Sequence, residues 1–197
     1  FKEPWYMGET PSTAIGQGYI TTTPMQVINM INIIANDGLW MPPSLFKEQE
    51  GLRPQQIPLK SEYLSLIREG MVAVVNSEGG TAKKVRFEEF TVAGKTATSQ
   101  VISNKTLETL DEEEQARKKF QNHAWFVAFG PAEDPEISVL ALVEHGGGGS
   151  KTAAPVVRKI LSYYIDNIYQ PKTEQILQNN VESINWKFSD RLRTAFY

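Results

Sequence analysis

Lys95, Thr96 and Thr98 are the residues of this 197-residue chain whose types and spacing best suit chemistry. They lie in Phe90-Thr91-Val92-Ala93-Gly94-Lys95-Thr96-Ala97-Thr98-Ser99-Gln100-Val101, a segment of strand character. Side chains two apart on a strand share a face, so Thr96 and Thr98 align, and the alternation of lysine and hydroxyls is expected to present all three groups to one face. A cation beside a row of hydroxyls, at the end of a strand whose own N–H groups are available, can receive a carboxylate and stabilise a developing oxyanion. The arrangement is enzyme-like and incomplete.

The elements that must position this strand follow from periodicity and punctuation. Thr23 as N-cap, Pro24 at the first helical position, Gln26 closing a capping box and Gly38 after the last turn predict a helix over about 24–36. Val27, Ile28, Ile31, Ile34 and Ala35 give it a broad apolar face, which makes it a core helix. Residues 40–60, rich in Pro, Gln and charge, are expected to form a surface excursion. A second helix starts at Ser61, with Leu64, Ile67, Met71, Val74 and Val75 on one face and Gly79-Gly80 as the stop.

Phe87 to Val101 has a strand pattern, and the charged stretch 103–122 is expected to be a solvated helical insertion. Thr109 and Glu112 suit a capping box there, and Glu113 with Arg117 and Glu114 with Lys118 suit ion pairs one turn apart. Two strands, His123 to Phe129 and Glu136 to Val143, flank a Gly- and Pro-rich reversal and predict an antiparallel hairpin. A glycine run, Gly146 to Gly149, leads into a helix over 152–169 with Val156, Ile160, Tyr163, Tyr164 and Ile168 at helical spacing. After Pro171 the chain is amide-rich, so 170–197 is expected to be an appended tail. The order of elements implies an α+β fold, an antiparallel sheet with helices on its faces.

Composition narrows the function. With no cysteine there is no disulfide, no thiolate nucleophile and no Cys-based metal site, and only His123 and His145 remain as imidazole ligands, so a structural zinc is not expected. A formal charge of −3, with acidic and basic residues interspersed, gives no support for a nucleic-acid partner. No run of about 18 apolar residues is present to span a membrane. Phe1-Lys2-Glu3-Pro4-Trp5 lacks an initiator Met and an apolar run, so the natural N-terminus, with any signal or anchor, is expected to lie upstream.

An ordered set of motifs carries a resemblance: Pro4-Trp5-Tyr6, Ile15-Gly16-Gln17-Gly18-Tyr19, Thr23-Pro24-Met25-Gln26, Gly80-Thr81-Ala82, Ala93 to Val101, His123-Ala124-Trp125-Phe126 and Val143-Glu144-His145-Gly146-Gly147. Together they make the chain similar to the C-terminal half of the transpeptidase domain of class B penicillin-binding proteins. Elongation-type members, the penicillin-binding protein 2 group, resemble it most closely, and the charged insertion before His123 favours them over division-type relatives. On this resemblance residues 1–169 would be the C-terminal part of that domain. The fold expected is that of the penicillin-binding and β-lactamase-like serine enzymes.

The resemblance implies a serine D,D-transpeptidase, which requires no metal or cofactor. An acyl-enzyme forms as a terminal D-Ala leaves, an amine of a neighbouring peptide stem resolves it, and β-lactams acylate the same serine. Three signatures share this work in the family: Ser-x-x-Lys, Ser-x-Asn and Lys-Thr/Ser-Gly. Only the third is placed here. By the resemblance Lys95 supplies positive potential to the substrate or antibiotic carboxylate, Thr96 and Thr98 offer it hydroxyls, and the Thr98 N–H forms half of the oxyanion hole. Ala97, on the same substrate-binding strand, stands where the family has glycine; its methyl is expected to narrow the gap between strand and ligand and so to slow acylation or to reduce β-lactam affinity. The resemblance also implies an anchor in the cytoplasmic membrane, a domain facing the periplasm, and RodA-like and MreC-like partners. Its alternatives are an inactive transpeptidase-like sensor or scaffold, and a division-type transpeptidase.

Other matches carry less. Ser44-Leu45-Phe46-Lys47 fits Ser-x-x-Lys, but Pro42-Pro43 precede it in a segment of loop character, whereas the chemistry needs one helical turn. Ser183-Ile184-Asn185 fits Ser-x-Asn but falls in the tail, after Lys95 rather than before it. The nucleophile and its base lysine are therefore expected upstream of Phe1. A phosphate loop ending in Gly94-Lys95-Thr96 fails, because Glu89 occupies a required glycine position and extended chain follows the lysine. His123 and His145 are expected to be hydrogen-bonded structural residues at strand ends. Gly16-Gln17-Gly18 is expected to be a turn with an amide-mediated bond, and Trp5, Trp40, Trp125 and Trp186 to be packing residues.

Overall fold

Thr23 accepts from the Gln26 N–H at 3.2 Å while the Gln26 side chain accepts from the Thr23 N–H at 2.8 Å, so the capping box forms as the sequence predicts. In the computed structural model, which describes residues 4–17, 20–46, 51–102, 106, 108–115 and 120–178, this cap opens helix α2 (Pro24–Ala35). A shorter helix, α1 (Glu9–Ala14), precedes it. Asp37 and Gly38 after α2 both adopt positive φ, 52° and 88°, and turn the chain sharply.

The described part of the excursion over 40–60 contains strand pairing that its composition does not suggest. Strands β1 (Leu39–Trp40) and β2 (Gln55–Gln56) pair antiparallel across it. Two-residue strands are too short for alternation to mark them in a sequence.

Helix α3 (Ser61–Asn76) buries Leu64, Met71 and Val75, but Ile67, expected on the same face, is 46% exposed. The buried stripe passes through Arg68, whose guanidinium pairs with Asp37 at 2.6 Å and whose side chain is only 26% exposed. A lysine or arginine stem can cover apolar surface while its head finds a partner, and here it holds a position that an apolar pattern assigns to its neighbour. Beyond α3 a 3-10 turn, Lys83–Val85, and the buried Phe90 and Val92 bring the chain to the sheet. The Asn76 amide ties the two together, donating to the carbonyls of Val72 and Val92 at 2.8 and 2.9 Å. Residues 87–92 are thus held against the end of α3, and the strand predicted from Phe87 begins only at Ala93.

The sheet contains β3 (Ala93–Ser99), β4 (His123–Gly130) and β5 (Ile137–Val143), in spatial order β3-β4-β5 and antiparallel throughout. The register pairs Lys95 with Val127, Ala97 with Trp125 and Phe126 with Ala141. β4 lies in the middle and is buried almost along its length, which explains its continuous apolar run. A core cluster unites Ile31 and Ala35 of α2 and Met71 of α3 with Ala93, Val127 and Phe129 of the sheet. This is the α+β plan expected: helices packed on an antiparallel sheet.

In the charged insertion Thr106 and Glu108 are helical, and a helical turn, α4 (Glu112–Gln115), is described after them. Its N-cap is Asp111, whose carboxylate accepts from the Glu114 N–H at 2.7 Å, whereas the Thr109 hydroxyl donates to Thr106 O at 2.6 Å. The box predicted from Thr109 and Glu112 is therefore displaced: the helix starts later, and a carboxylate next to its first residue is already placed to accept from the third. The predicted pairs to Arg117 and Lys118 lie outside the described residues.

The chain divides into two compact units, Phe1–Val157 and Arg158–Tyr197. Helix α5 (Ala153–Tyr164) buries Ala153, Ala154, Val157 and Leu161, not the predicted face: Val156, Ile160 and Tyr163 are exposed. The buried stripe lies on another side of the helix and opens on two alanines, whose small side chains give apolar periodicity little to mark beside Val156, Ile160 and Tyr163. A π-helical stretch follows at Ile165–Tyr169, then helical residues 170–178. Trp186 lies outside the described residues, and Trp5 is exposed rather than packed, its indole donating to the Thr10 hydroxyl.

Candidate active site

β3 is an edge strand, and its open side borders a cavity of about 710 Å³. Residues 95–100 form the polar rim of this cavity, with Gln17, Thr21 and Thr22, while Val27, Met30 and Ile31 of α2 and Val127 and Leu140 of the sheet form its apolar wall. Lys95 is the one charged residue lining it among the described residues. It is exposed and enters no ion pair among them, so its charge is available to an anion.

The pleat corrects one expectation. Lys95 is an odd-numbered neighbour of Thr96 and Thr98, so its side chain leaves the strand on the opposite face from both hydroxyls. All three still line one cavity, because at a sheet edge both faces are reachable from the open side. Thr96 is further oriented from outside the strand: its hydroxyl and that of Thr81 lie 3.1 Å apart in a hydrogen bond.

Two side chains reveal which way the backbone faces. The Lys95 ammonium donates to Thr96 O at 2.7 Å, and the Gln17 amide donates to Thr98 O at 3.4 Å. Neither carbonyl is directed into the ladder with β4. In an antiparallel pair a residue's N–H and C=O turn to the same side, so the N–H groups of Thr96 and Thr98 also look outward from the open edge. An outward N–H at Thr98, next to an ammonium and hydroxyls, is a donor for negative charge developing on an oxygen in the cavity.

Beneath the strand the fit is close. Gly149, the last of the glycine run, lies against the backbone of Ala97 and Trp125, and a Cβ there would stand 2.6 Å from Ala97 O and closer still to Trp125 O. Its own carbonyl accepts from Ala153 and Ala154 at the start of α5. Trp125, predicted to belong to the core, is half-buried on the cavity wall and donates its indole N–H to the Ser99 hydroxyl at 3.0 Å.

The other candidates separate from this cavity. The His145 N–H donates to His123 Nδ1 at 2.9 Å, His145 Nδ1 bonds Gln121 O at 3.1 Å, and the rings meet edge to face at 4.7 Å. The pair fastens the ends of β4 and β5, as expected of structural histidines. The Ser44 hydroxyl is engaged with both the N–H and the carbonyl of Phe46 in a bend outside any helix, and it does not line the cavity. The chain continues as strand after Lys95 as far as Ser99, which excludes a phosphate loop.

Gln17 and Thr81 are the site residues that residue patterns alone missed. A local amide bond was legible in Gly16-Gln17-Gly18, but a partner 81 residues away was not.

The family model of the penicillin-binding protein transpeptidase domain matches residues 2–162. The chain is 38% identical over 177 residues to the peptidoglycan D,D-transpeptidase MrdA of Haemophilus influenzae, covering 84% of this chain and 27% of that protein. Its fold resembles penicillin-binding protein 2 of Pseudomonas aeruginosa in complex with WCK 5153, with a TM-score of 0.68 and 33% identity over 85% of this chain and 35% of that one. It resembles the complex of penicillin-binding protein 2 with MreC from Helicobacter pylori at a TM-score of 0.67 and 33% identity, over 84% of this chain and 29% of that one. The chain spans about a quarter of the length of the curated relative it matches.

Proposed function

The chain belongs to the penicillin-binding protein transpeptidase family, and from that premise we propose that its parent protein is a peptidoglycan D,D-transpeptidase of cell elongation. A serine Oγ attacks the carbonyl of the penultimate D-Ala of a stem peptide, the terminal D-Ala leaves, and the amine of a neighbouring stem then displaces the serine. Lys95 receives the terminal carboxylate, the Thr96 and Thr98 hydroxyls hydrogen-bond it, and the Thr98 N–H donates to the oxyanion. The serine and its base lysine come from sequence outside these 197 residues. The engaged, non-helical Ser44 supports that assignment.

The observation that carries this reading is the Lys95 ammonium, the one charge on the cavity rim among the described residues, beside the outward-facing Thr98 peptide. The MrdA and penicillin-binding protein 2 relatives favour the elongation type over the division type. β-Lactams are ligands in this reading, and an MreC-like scaffold and a RodA-like glycosyltransferase are partners. The Helicobacter complex supports the first of these partners. Among the described residues no helix is long and apolar enough to cross a membrane, and the proposed anchor to the cytoplasmic membrane, with the domain facing the periplasm, belongs to the parent protein. Residues 1–169 are the C-terminal part of the transpeptidase domain and 170–197 an appended tail.

Fluorescent penicillin is expected to label the full-length protein covalently, and unlabelled β-lactam to compete. Absence of label on folded full-length protein would overturn the transpeptidase reading in favour of an inactive scaffold. In the same assay Ala97→Gly is expected to raise the acylation rate a few-fold, because it removes a methyl from the cavity-lining strand. Equal rates would remove any role for this departure from the family pattern.

A further inference from the structure

The Thr98–Ser99 end of β3 is held from two sides. Toward β4, the Trp125 indole donates to the Ser99 hydroxyl, and on the open side the Gln17 carboxamide donates to the Thr98 carbonyl. Resting on the assignment of the Thr98 N–H to the oxyanion, we propose that Gln17 is a positioning residue for the reaction: its amide holds the Thr98 peptide outward and so fixes the direction of the donor.

Four observations support this role. Thr98 is the last residue but one of an edge strand, so few ladder bonds beyond it restrain its orientation. Gln17 is delivered by a fixed backbone: after α1, the Gly16 N–H donates to Thr13 O and the Gln17 N–H to Ser12 O, both at 2.9 Å, with Gly16 at φ 75°. A carboxamide donates without adding charge, so it leaves Lys95, the one titratable group lining the cavity among the described residues, uncompensated for substrate. At 3.4 Å the bond is at the long end of hydrogen-bonding range, and it has room to tighten as a substrate closes on the strand.

The test uses full-length protein, a reporter penicillin, and two substitutions. Gln17→Met keeps the length of the side chain and removes the donor. It is expected to lower the saturating acylation rate constant about tenfold, the scale of one lost hydrogen bond, while the dissociation constant of the non-covalent complex changes less than about twofold. Gln17→Glu distinguishes positioning from mere packing. At about pH 8 its carboxylate cannot donate and adds a negative charge to the cavity of Lys95, so its rate should fall at least as far as that of Gln17→Met. Toward about pH 5 the ratio of its rate to that of unsubstituted protein should climb and pass the ratio for Gln17→Met, as the carboxyl, facing a carbonyl oxygen, takes up a proton and becomes a donor; loss of the charge alone would bring it only level with Gln17→Met.

An unchanged rate constant in Gln17→Met overturns the proposal, as does a ratio for Gln17→Glu that is pH-independent or climbs no further than that of Gln17→Met. A loss confined to the dissociation constant also overturns it. Thermal unfolding of each variant identifies a folding defect, and if Gln17→Met fails to fold the Gln17→Glu ratio is read against about one tenth, the level of one lost hydrogen bond. No acylation of the unsubstituted protein would overturn this proposal together with the transpeptidase reading, whereas normal labelling with a silent Gln17→Met would overturn this one alone.

Discussion

Lys95→Ala in the full-length protein is expected to slow acylation by penicillin about a hundredfold, through loss of the one positive charge that the described residues place on the cavity rim. The ammonium sits beside its own strand, donating to Thr96 O at 2.7 Å, and can turn from that carbonyl to an incoming carboxylate. No other charged side chain among the described lining residues can replace it. A double-mutant cycle isolates the interaction: a penicillin whose carboxylate is esterified should acylate the unsubstituted protein slowly, and Lys95→Ala should slow that ester little further. If the substitution slows the ester as much as the free acid, Lys95 does not act through the carboxylate. If it slows neither, the strand is not the anion receptor. Second-order rates of fluorescent labelling supply both comparisons.

The second large effect is expected below the strand. Gly149→Ala would set a methyl against the carbonyls of Ala97 and Trp125, atoms fixed in the β3–β4 ladder that cannot rotate away as a side-chain end can. Either the glycine loop lifts, disturbing the start of α5, or β3 shifts at Ala97, one residue before the proposed oxyanion donor Thr98. We expect a loss of about 3 kcal/mol in stability, read from the midpoint of chemical denaturation, together with slower acylation. Gly148→Ala is the matched control: nothing lies within 4 Å of the place its added methyl would take, and it should cost less than about 0.5 kcal/mol. Equal costs at the two positions would show that chain flexibility, not contact with the strand, is what the glycines provide.

The elements that the sequence made legible are those with local signals. Helix α2 has its cap written into four consecutive residues, and the β4–β5 hairpin has apolar runs on either side of a Gly-Pro turn. Lys95 and its hydroxyls were recognisable because a strand motif keeps its chemistry in a few adjacent positions. What was not legible depends on distant partners. Arg68 takes a core-facing position from Ile67 because Asp37, 31 positions earlier in the chain, is there to receive its guanidinium. The buried stripe of α5 opens on Ala153 and Ala154, which carry too little apolar weight to be told from the bulkier Val156, Ile160 and Tyr163 by spacing alone. Gln17 and Thr81 reach the motif strand from turns far away in sequence, and no spacing rule connects a turn amide to a carbonyl across the fold.

The open side of β3 carries one more consequence. A bare sheet edge invites another chain to dock along it, strand to strand, and so begin an aggregate. Here two carbonyls on that margin are already engaged by side chains, and a lysine stands among them. The groups proposed to receive a substrate thereby act as gatekeepers, making this margin a poor template for further copies of the chain.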